Sequence, residues 1–444
     1  MKYSIAYLMK NDGFKCSCGK KHFGMLGDCI IGNDALLYLP EMIKKYNGTY
    51  PFVLCDKNTY EAAGKRTTAI LDDAGIPYKL HIVKRERPTP DERLVGEALM
   101  RCDNKCDIVI AVGSGVINDT GKIIAASKRI ADINVATAPS MDGFASATSS
   151  MDIEGLKTSL PSKCPNAVIG EAEILANAPV HMIRSGVGDI LAKYVSIAEW
   201  RIANIILGEY YCPVIADIIG EVLSQCVENA SKAIKGDKNA VCVITEGLVI
   251  SGLAMNYAGM SRPASGMEHY ISHIIDMRSL EFSTPSNLHG IQCGIATLLA
   301  LRAYEKLLSV TPDREKALRY VERFDWELWN EYLREKLGHG AEAMIAGEKK
   351  ERKYDKAKHS DRLETIINRW NDIRETISLL PKAEEIEAFM LSIGHPTSFT
   401  EIGITKEDII CAFVTGKDIR DKYVLGRLLW DLGLLEEFSN EIRV

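Results

Sequence analysis

Between residues 50 and 140, short β-branched runs alternate with helical stretches, and this alternation restricts the fold more than any other feature of the chain. PFVLCD at 51–56 and YKLHIV at 78–83 read as strands, with helices over 59–74 and 91–101. CDIVIAVGSG at 106–115 and NVATAPS at 134–140 flank a further helix near 117–129. Strand–helix–strand units of this kind bury both faces of a parallel sheet under crossover helices, an architecture that takes nucleotides at the carboxyl ends of its strands. After Pro179 the pattern changes to long helical segments near 189–207, 213–234, 240–258, 265–278 and 290–308. The expectation is an α/β dinucleotide-binding domain over 1–178 and an all-α metal- and substrate-binding domain over 179–444.

A chain of 444 residues exceeds one ordinary core, and 46% hydrophobic with 26% charged residues is a globular composition. Fifty-four basic residues against 60 acidic, a net charge of −6, give no polyanion-binding signature, so nucleic acid is not an expected partner. The start MKYSIAYLMK lacks the apolar core of a secretion signal, and the twelve cysteines are scattered, which predicts reduced thiols in a cytoplasmic protein. The longest apolar stretch, 241–255, is interrupted by Glu246 and falls short of a bilayer span, so no membrane segment is expected. The charged region 314–361 reads as a solvated helix pair and loop. Cys16, Cys18, Gly19 and His22 form half of a metal knuckle, but no second ligand pair follows at a suitable spacing, and a hairpin turn built on the glycine is expected there.

Two stretches carry chemistry. GSGVINDTGK at 113–122 follows a strand and opens a helix, the context in which backbone amides hold a pyrophosphate. It is neither a G-x-G-x-x-G motif, since Asn118 fills the last position, nor a P-loop, since Ile123 replaces Ser or Thr, and a simple glycine turn fits it as well. The second stretch, 261–294, holds three of the nine histidines. Ser265 and Glu268 form a capping box, and the helix they predict puts His269 and His273 on one face at i, i+4; His289 arrives on a new segment after Pro285. Such imidazoles suit Zn, Fe or Ni, and equally suit satisfied structural roles. Asp189, in GVGDILAK at 186–193, opens an apolar run where a carboxylate needs either a cation or the amides of a helix N-terminus.

Taken in order, Gly-Ser-Gly with Asn118-Asp119, TAPSMDGFAS at 137–146, GVGDILAK, SRPASGMEHYISHIID and NLHG resemble the iron-containing alcohol dehydrogenase superfamily, with its glycerol dehydrogenases and dehydroquinate synthase-like fold, and within it the sn-glycerol-1-phosphate dehydrogenases. The resemblance implies reduction of dihydroxyacetone phosphate to sn-glycerol 1-phosphate, a step of phospholipid biosynthesis, with a nicotinamide cofactor and one divalent metal (Zn, Ni or Fe). It places the metal ligands on Asp189, His269 and His289, and catalytic and substrate contacts on Asp142, Asp189 and His273. Its cofactor contacts fall on Asp56, on Gly115, Val116, Ile117, Asn118 and Asp119, on Thr137, Ala138, Pro139 and Ser140, and on Ser146. Asp56, at a strand's carboxyl end, would accept from ribose hydroxyls and repel a 2′-phosphate, which favours NAD over NADP. Arg262, just before the histidine helix, and Lys193 are the nearest cations for a substrate phosphate. A homo-oligomer, dimer or larger, is expected. The alternatives are a glycerol dehydrogenase acting on the unphosphorylated polyol and a 3-dehydroquinate synthase-like lyase.

Overall fold

The computed structural model describes residues 4–9, 13–154 and 156–442, so of the leader-free start expected over residues 1–10 only 4–9 are covered. Six strands form one parallel sheet: β1 (Asp28–Gly32), β2 (Pro51–Asp56), β3 (Lys79–Val83), β4 (Ile108–Val112), β5 (Ala131–Val135) and β6 (Ala167–Glu171). Their order across the sheet is β1-β6-β5-β4-β2-β3. The alternation along β2 and β4 shows why a parallel sheet forms. Val53, Cys55, Ile108, Ile110 and Val112 enter one core with Leu36, Leu39 and Met42, whereas Phe52, Leu54, Val109 and Ala111 enter another with Leu94, Ala98, Ile117 and Ile124. Both faces are apolar and both are covered, the condition under which such strands read as continuous hydrophobic runs.

Two of the six strands, β1 and β6, went unpredicted, as did the antiparallel hairpin Thr148–Ile153/Leu156–Pro161. DCIIG and AVIGE are five-residue runs ending at or near glycine, too short to give a period; their pairing with each other spans more than a hundred residues of sequence. The fourth expected strand sits earlier than its pattern, at Ala131–Val135, because the chain leaves the sheet at Ala136 toward the 137–146 segment.

The chain divides into two compact units, 1–190 with 217–260, and 191–216 with 261–444. The last strand ends at Glu171 and helices follow it, while the compact units divide later, and residues 217–260 group with the sheet. The reason is the helix Lys238–Ala258, whose buried residues include Val241, Ile244, Leu248, Val249 and Leu253. It extends beyond the expected 240–258 and is long and apolar enough by composition to cross a membrane, yet 72% of its apolar window is buried inside the protein, as in a core helix. The second unit consists of helices and includes the charged region 314–361, which forms helices Arg314–Glu322, Trp326–Leu337 and Gly340–Glu351.

Candidate active site

In the first unit, α1 (Gly115–Lys128) begins directly beyond the carboxyl end of β4, so the free amides of its first turn point where the glycine loop was expected to hold a pyrophosphate. Ser114 closes the loop from the side: its Oγ lies 3.1 Å from the Ala138 carbonyl and 2.5 Å from Ser140 Oγ. Thr137, Ala138, Pro139 and Ser140 follow β5 and are buried beside this loop. Asn118 donates to the Gly143 carbonyl (3.3 Å). Asp119 accepts from Lys122 Nζ (2.9 Å) and from the amide of Ser150 (3.0 Å). The same Lys122 ammonium reaches the carbonyls of Gly143, Ser146 and Thr148 at 3.2, 3.4 and 2.7 Å, and pins the 143–148 segment to α1. Asp56 ends β2, the neighbour of β4, and caps the next helix: its Oδ1 accepts from the Thr59 amide at 2.8 Å.

Asp142 and Asp189 meet in this unit. The Asp142 amide donates to Asp189 Oδ2 at 2.9 Å, and Asp142 Oδ2 accepts from Ser251 Oγ at 2.8 Å. Asp189 is wholly buried on α2 (Val180–Leu191), and α2 is seated against the 139–142 segment by Ser185, which donates to the Ser140 carbonyl at 2.9 Å. A Cβ on Gly186 would lie 2.0 Å from the Pro139 carbonyl oxygen, so the approach that delivers Asp189 requires glycine there.

In the second unit the three histidines come together. His269 and His273 lie on α3 (Met267–Phe282), and His289 is the first residue of α4 (His289–Leu307). Ring centroids are 5.0 Å apart for His269 and His289, 5.5 Å for His273 and His289, and 6.4 Å for His269 and His273. His269 Nδ1 is 2.9 Å from Glu268 Oε1, and His289 Nδ1 is 3.1 Å from Ser272 Oγ. A carboxylate or hydroxyl behind Nδ1 fixes the tautomer and aim of each ring, as an outer partner does for a metal-ligating histidine. His269, His289 and Cys293 offer donor atoms within 4.8 Å of one another, and so do His273, Asp276 and His289. The residues present therefore fit a divalent transition metal.

The capping box does not form as expected. The N-terminal residue of α3 is flanked by Gly266, and the amide of Met267 is bonded by Glu199 Oε2 at 2.9 Å from a distant helix, while Glu268 turns back to the Gly266 amide at 2.6 Å. Glu199 also accepts from the Leu425 amide (2.8 Å) and the Tyr304 hydroxyl (3.1 Å). Burial first, and the adjacent Glu268 second, push the Glu199 carboxyl above its usual range. Arg262 is buried and its guanidinium is forked onto Glu209, at 2.7 and 2.5 Å, with its remaining arm 2.8 Å from the Tyr423 carbonyl. That fork is already filled by a carboxylate, which gives Arg262 a structural anchor where a substrate phosphate was expected.

Residues not anticipated from the sequence complete the histidine cluster. Cys293, one turn after His289, puts Sγ 3.5 Å from His289 Nε2; burial raises this thiol, but His269 and His289 outweigh it and hold it below its ordinary value. Gln292 bridges Ser272 Oγ and Asp276 Oδ1, both at 2.9 Å. Their i+3 and i+4 spacing from the expected histidines was the available signal.

A parallel sheet with a glycine loop at its strand ends and a buried histidine cluster on helices are features that metal-dependent dehydrogenases use. Residues 30–179 match the family model described as iron-containing alcohol dehydrogenase. The chain is 30% identical over 399 residues to a Bacillus velezensis protein named glycerol-1-phosphate dehydrogenase, NAD(P)+, covering 89% of each. It is 28% identical over 435 residues to the Bacillus licheniformis protein of the same name, covering 97% of this chain and 95% of that one. A probable glycerol dehydrogenase from Sinorhizobium meliloti shares the fold, with a TM-score of 0.60 at 17% identity over 95% of this chain and 99% of the other. The chain belongs to the iron-containing alcohol dehydrogenase family, among its glycerol-1-phosphate dehydrogenase relatives.

Proposed function

We propose that the protein is an oxidoreductase that reduces dihydroxyacetone phosphate to sn-glycerol 1-phosphate with NAD(P)H. The observation that carries this reading is the histidine cluster, in which His269 and His289 each have Nδ1 held from behind. Near-full-length relatives named for this activity support it. His269 and His289 would hold the divalent metal, with Asp189 as the carboxylate ligand that the family resemblance implies. When bound, the metal supplies Lewis acidity and the reduced nicotinamide supplies the hydride. The chain's own residues do the rest. The first-turn amides of α1 and the Thr137–Ser140 segment seat the cofactor, with Ser114, Asn118 and Lys122 keeping that cradle closed. His273 orients the substrate and delivers the proton to its C2 oxygen. Asp142, held by Ser251, positions the substrate hydroxyls.

Asp56 supports NAD as the preferred cofactor, because a carboxylate at this strand end bonds ribose hydroxyls and repels a 2′-phosphate. Asp56→Ser keeps a capping oxygen for the Thr59 amide while removing the charge, so it is expected to raise NADP use relative to NAD without loss of fold. The same reading expects a cytoplasmic setting and a homo-oligomer, and light scattering of the purified chain tests the oligomer.

The deciding experiment follows oxidation of reduced cofactor by metal-stripped and reloaded protein. The reloaded protein is expected to reduce dihydroxyacetone phosphate with a kcat/KM at least ~100-fold above dihydroxyacetone, since an unfilled phosphate site forfeits several kcal/mol of binding. Equal rates on both ketones would make it a glycerol dehydrogenase. Cofactor that recycles without net oxidation would make it a dehydroquinate synthase-like lyase.

A further inference from the structure

The segment before the sheet holds a second concentration of metal-binding side chains, remote in sequence from every residue of the proposed reaction. Phe14–Lys15 and Lys21–His22 pair as an antiparallel hairpin, Phe14 opposite His22. The turn between them closes through the Cys16 amide to the Lys20 carbonyl and the Gly19 amide to the Cys16 carbonyl, both at 3.1 Å, with Gly19 at φ +84°. This is the expected glycine hairpin, but its side chains do more than end a turn. Donor atoms of Cys16, Cys18 and His22 lie within 4.8 Å of one another, and Cys18 Sγ is 3.3 Å from His22 Nε2. A tetrahedral zinc with bonds of about 2.3 Å to sulfur and 2.0 Å to nitrogen separates such ligand atoms by roughly 3.5 to 3.8 Å.

The His22 ring supplies the independent observation. It is 1% exposed, and its Nδ1 lies 2.8 Å from the carbonyl oxygen of Tyr257. A carbonyl only accepts, so Nδ1 carries the proton and Nε2 presents its lone pair to the two thiols. A backbone carbonyl behind one ring nitrogen, with the other aimed at sulfur, is how a metal-ligating histidine is oriented. Phe14 and Tyr257 wall the ring at centroid distances of 5.0 and 6.1 Å, and Tyr257 in turn donates its hydroxyl to the Leu8 carbonyl. The hairpin, the 4–9 segment and the helix Lys238–Ala258 therefore meet at this ring. Two thiolates with one imidazole are a soft donor set that selects zinc over magnesium or calcium.

We propose that Cys16, Cys18 and His22 form a zinc site that staples the N-terminal hairpin to Tyr257 on the long core helix, separate from the metal of the histidine cluster. Zinc binding there releases the thiol protons and stabilises the folded hairpin, which by itself has only two residues in each strand.

The test is metal analysis of the purified full chain together with cobalt substitution. Because Cys293 lies beside the histidine cluster and could add its own sulfur–cobalt absorption, Cys293→Ser is carried in both arms of the cobalt experiment. The parent is expected to show a thiolate-to-cobalt charge-transfer band in the near ultraviolet, and Cys16→Ser/Cys18→Ser to lack it. In zinc-loaded protein the same double substitution is expected to remove one equivalent of metal per chain, whatever the histidine cluster holds. Thiol labelling needs no mutation and so stands even if the double variant fails to fold: peptide mapping should show Cys16 and Cys18 protected from a maleimide until a chelator is added. An unchanged metal content and cobalt band in the variant, or labelling at the same rate with and without chelator, would leave only a hydrogen-bonded hairpin and overturn the proposal.

Discussion

Glu268 and His269 are adjacent in sequence and bonded to each other, Oε1 to Nδ1 at 2.9 Å, with the Glu268 side chain fully buried. Neighbours along a helix normally point in different directions; here the first residues of α3 bend the carboxylate back toward the helix N-terminus, where it also takes the Gly266 amide. The result is one carboxylate that both ends the helix and sets the imidazole. Glu268→Gln preserves the shape and one acceptor but removes the charge. Metal affinity measured by chelator competition is expected to fall roughly 10- to 100-fold, the usual effect of losing such a partner behind a ligand. Unchanged affinity would mean that Glu268 serves the helix start alone.

His273 is expected to separate from the two proposed histidine ligands. His273→Ala should retain metal and lose turnover on the order of a hundredfold, the contribution of a positioned proton donor. His289→Ala should lose metal and turnover together. If His273→Ala releases metal as readily as His289→Ala, the constellation of His273, Asp276 and His289 is the metal-binding set.

How much of this was legible follows from where each signal lives. The strand at 51–56 and the helices at 92–101 and 115–128 are written in local periodicity, which one sequence displays. The imidazoles of His269 and His273 were legible for the same reason, since i, i+4 spacing is local. Their supports were not. Met267 is capped by Glu199, 68 residues earlier, and no pattern near residue 265 announces it. The 189–207 helix resolves into two, meeting at Ala192, because Lys193 starts a new helix within an apolar run that gives no break signal. Arg262 illustrates the converse: its place beside the histidine helix suggested phosphate, whereas its partner Glu209 lies 53 residues away.

Arg262→Ala tests that reassignment. Removing the guanidinium strands a partly buried Glu209 carboxylate and frees the Tyr423 carbonyl, so stability to urea is expected to drop by about 2 to 4 kcal/mol. The preference for dihydroxyacetone phosphate over dihydroxyacetone is expected to survive in the folded fraction. A collapse of that preference with stability intact would return Arg262 to the substrate phosphate.

Asp132 gives the sheet a pH dependence of its own. It lies on β5, 3% exposed, where burial pushes its carboxyl up to about 7 against the weaker opposing pull of Lys122, the Asn166 amide and Lys163. The folded protein therefore holds a proton that the unfolded chain releases near 3.8, the ordinary value of this group. Between those two values the native state binds more protons, so this group's contribution is fully present below the unfolded value and is lost as pH rises through about 7. A shift of this size corresponds to a loss on the order of 4 kcal/mol. Asp132→Asn keeps the shape and removes the ionisation. Urea unfolding between pH 5 and pH 8 is expected to show the parent losing stability relative to the variant across that window. Parallel curves for the two proteins would mean that Lys122 keeps Asp132 ionised throughout, and that the carboxylate is a paired charge within the sheet.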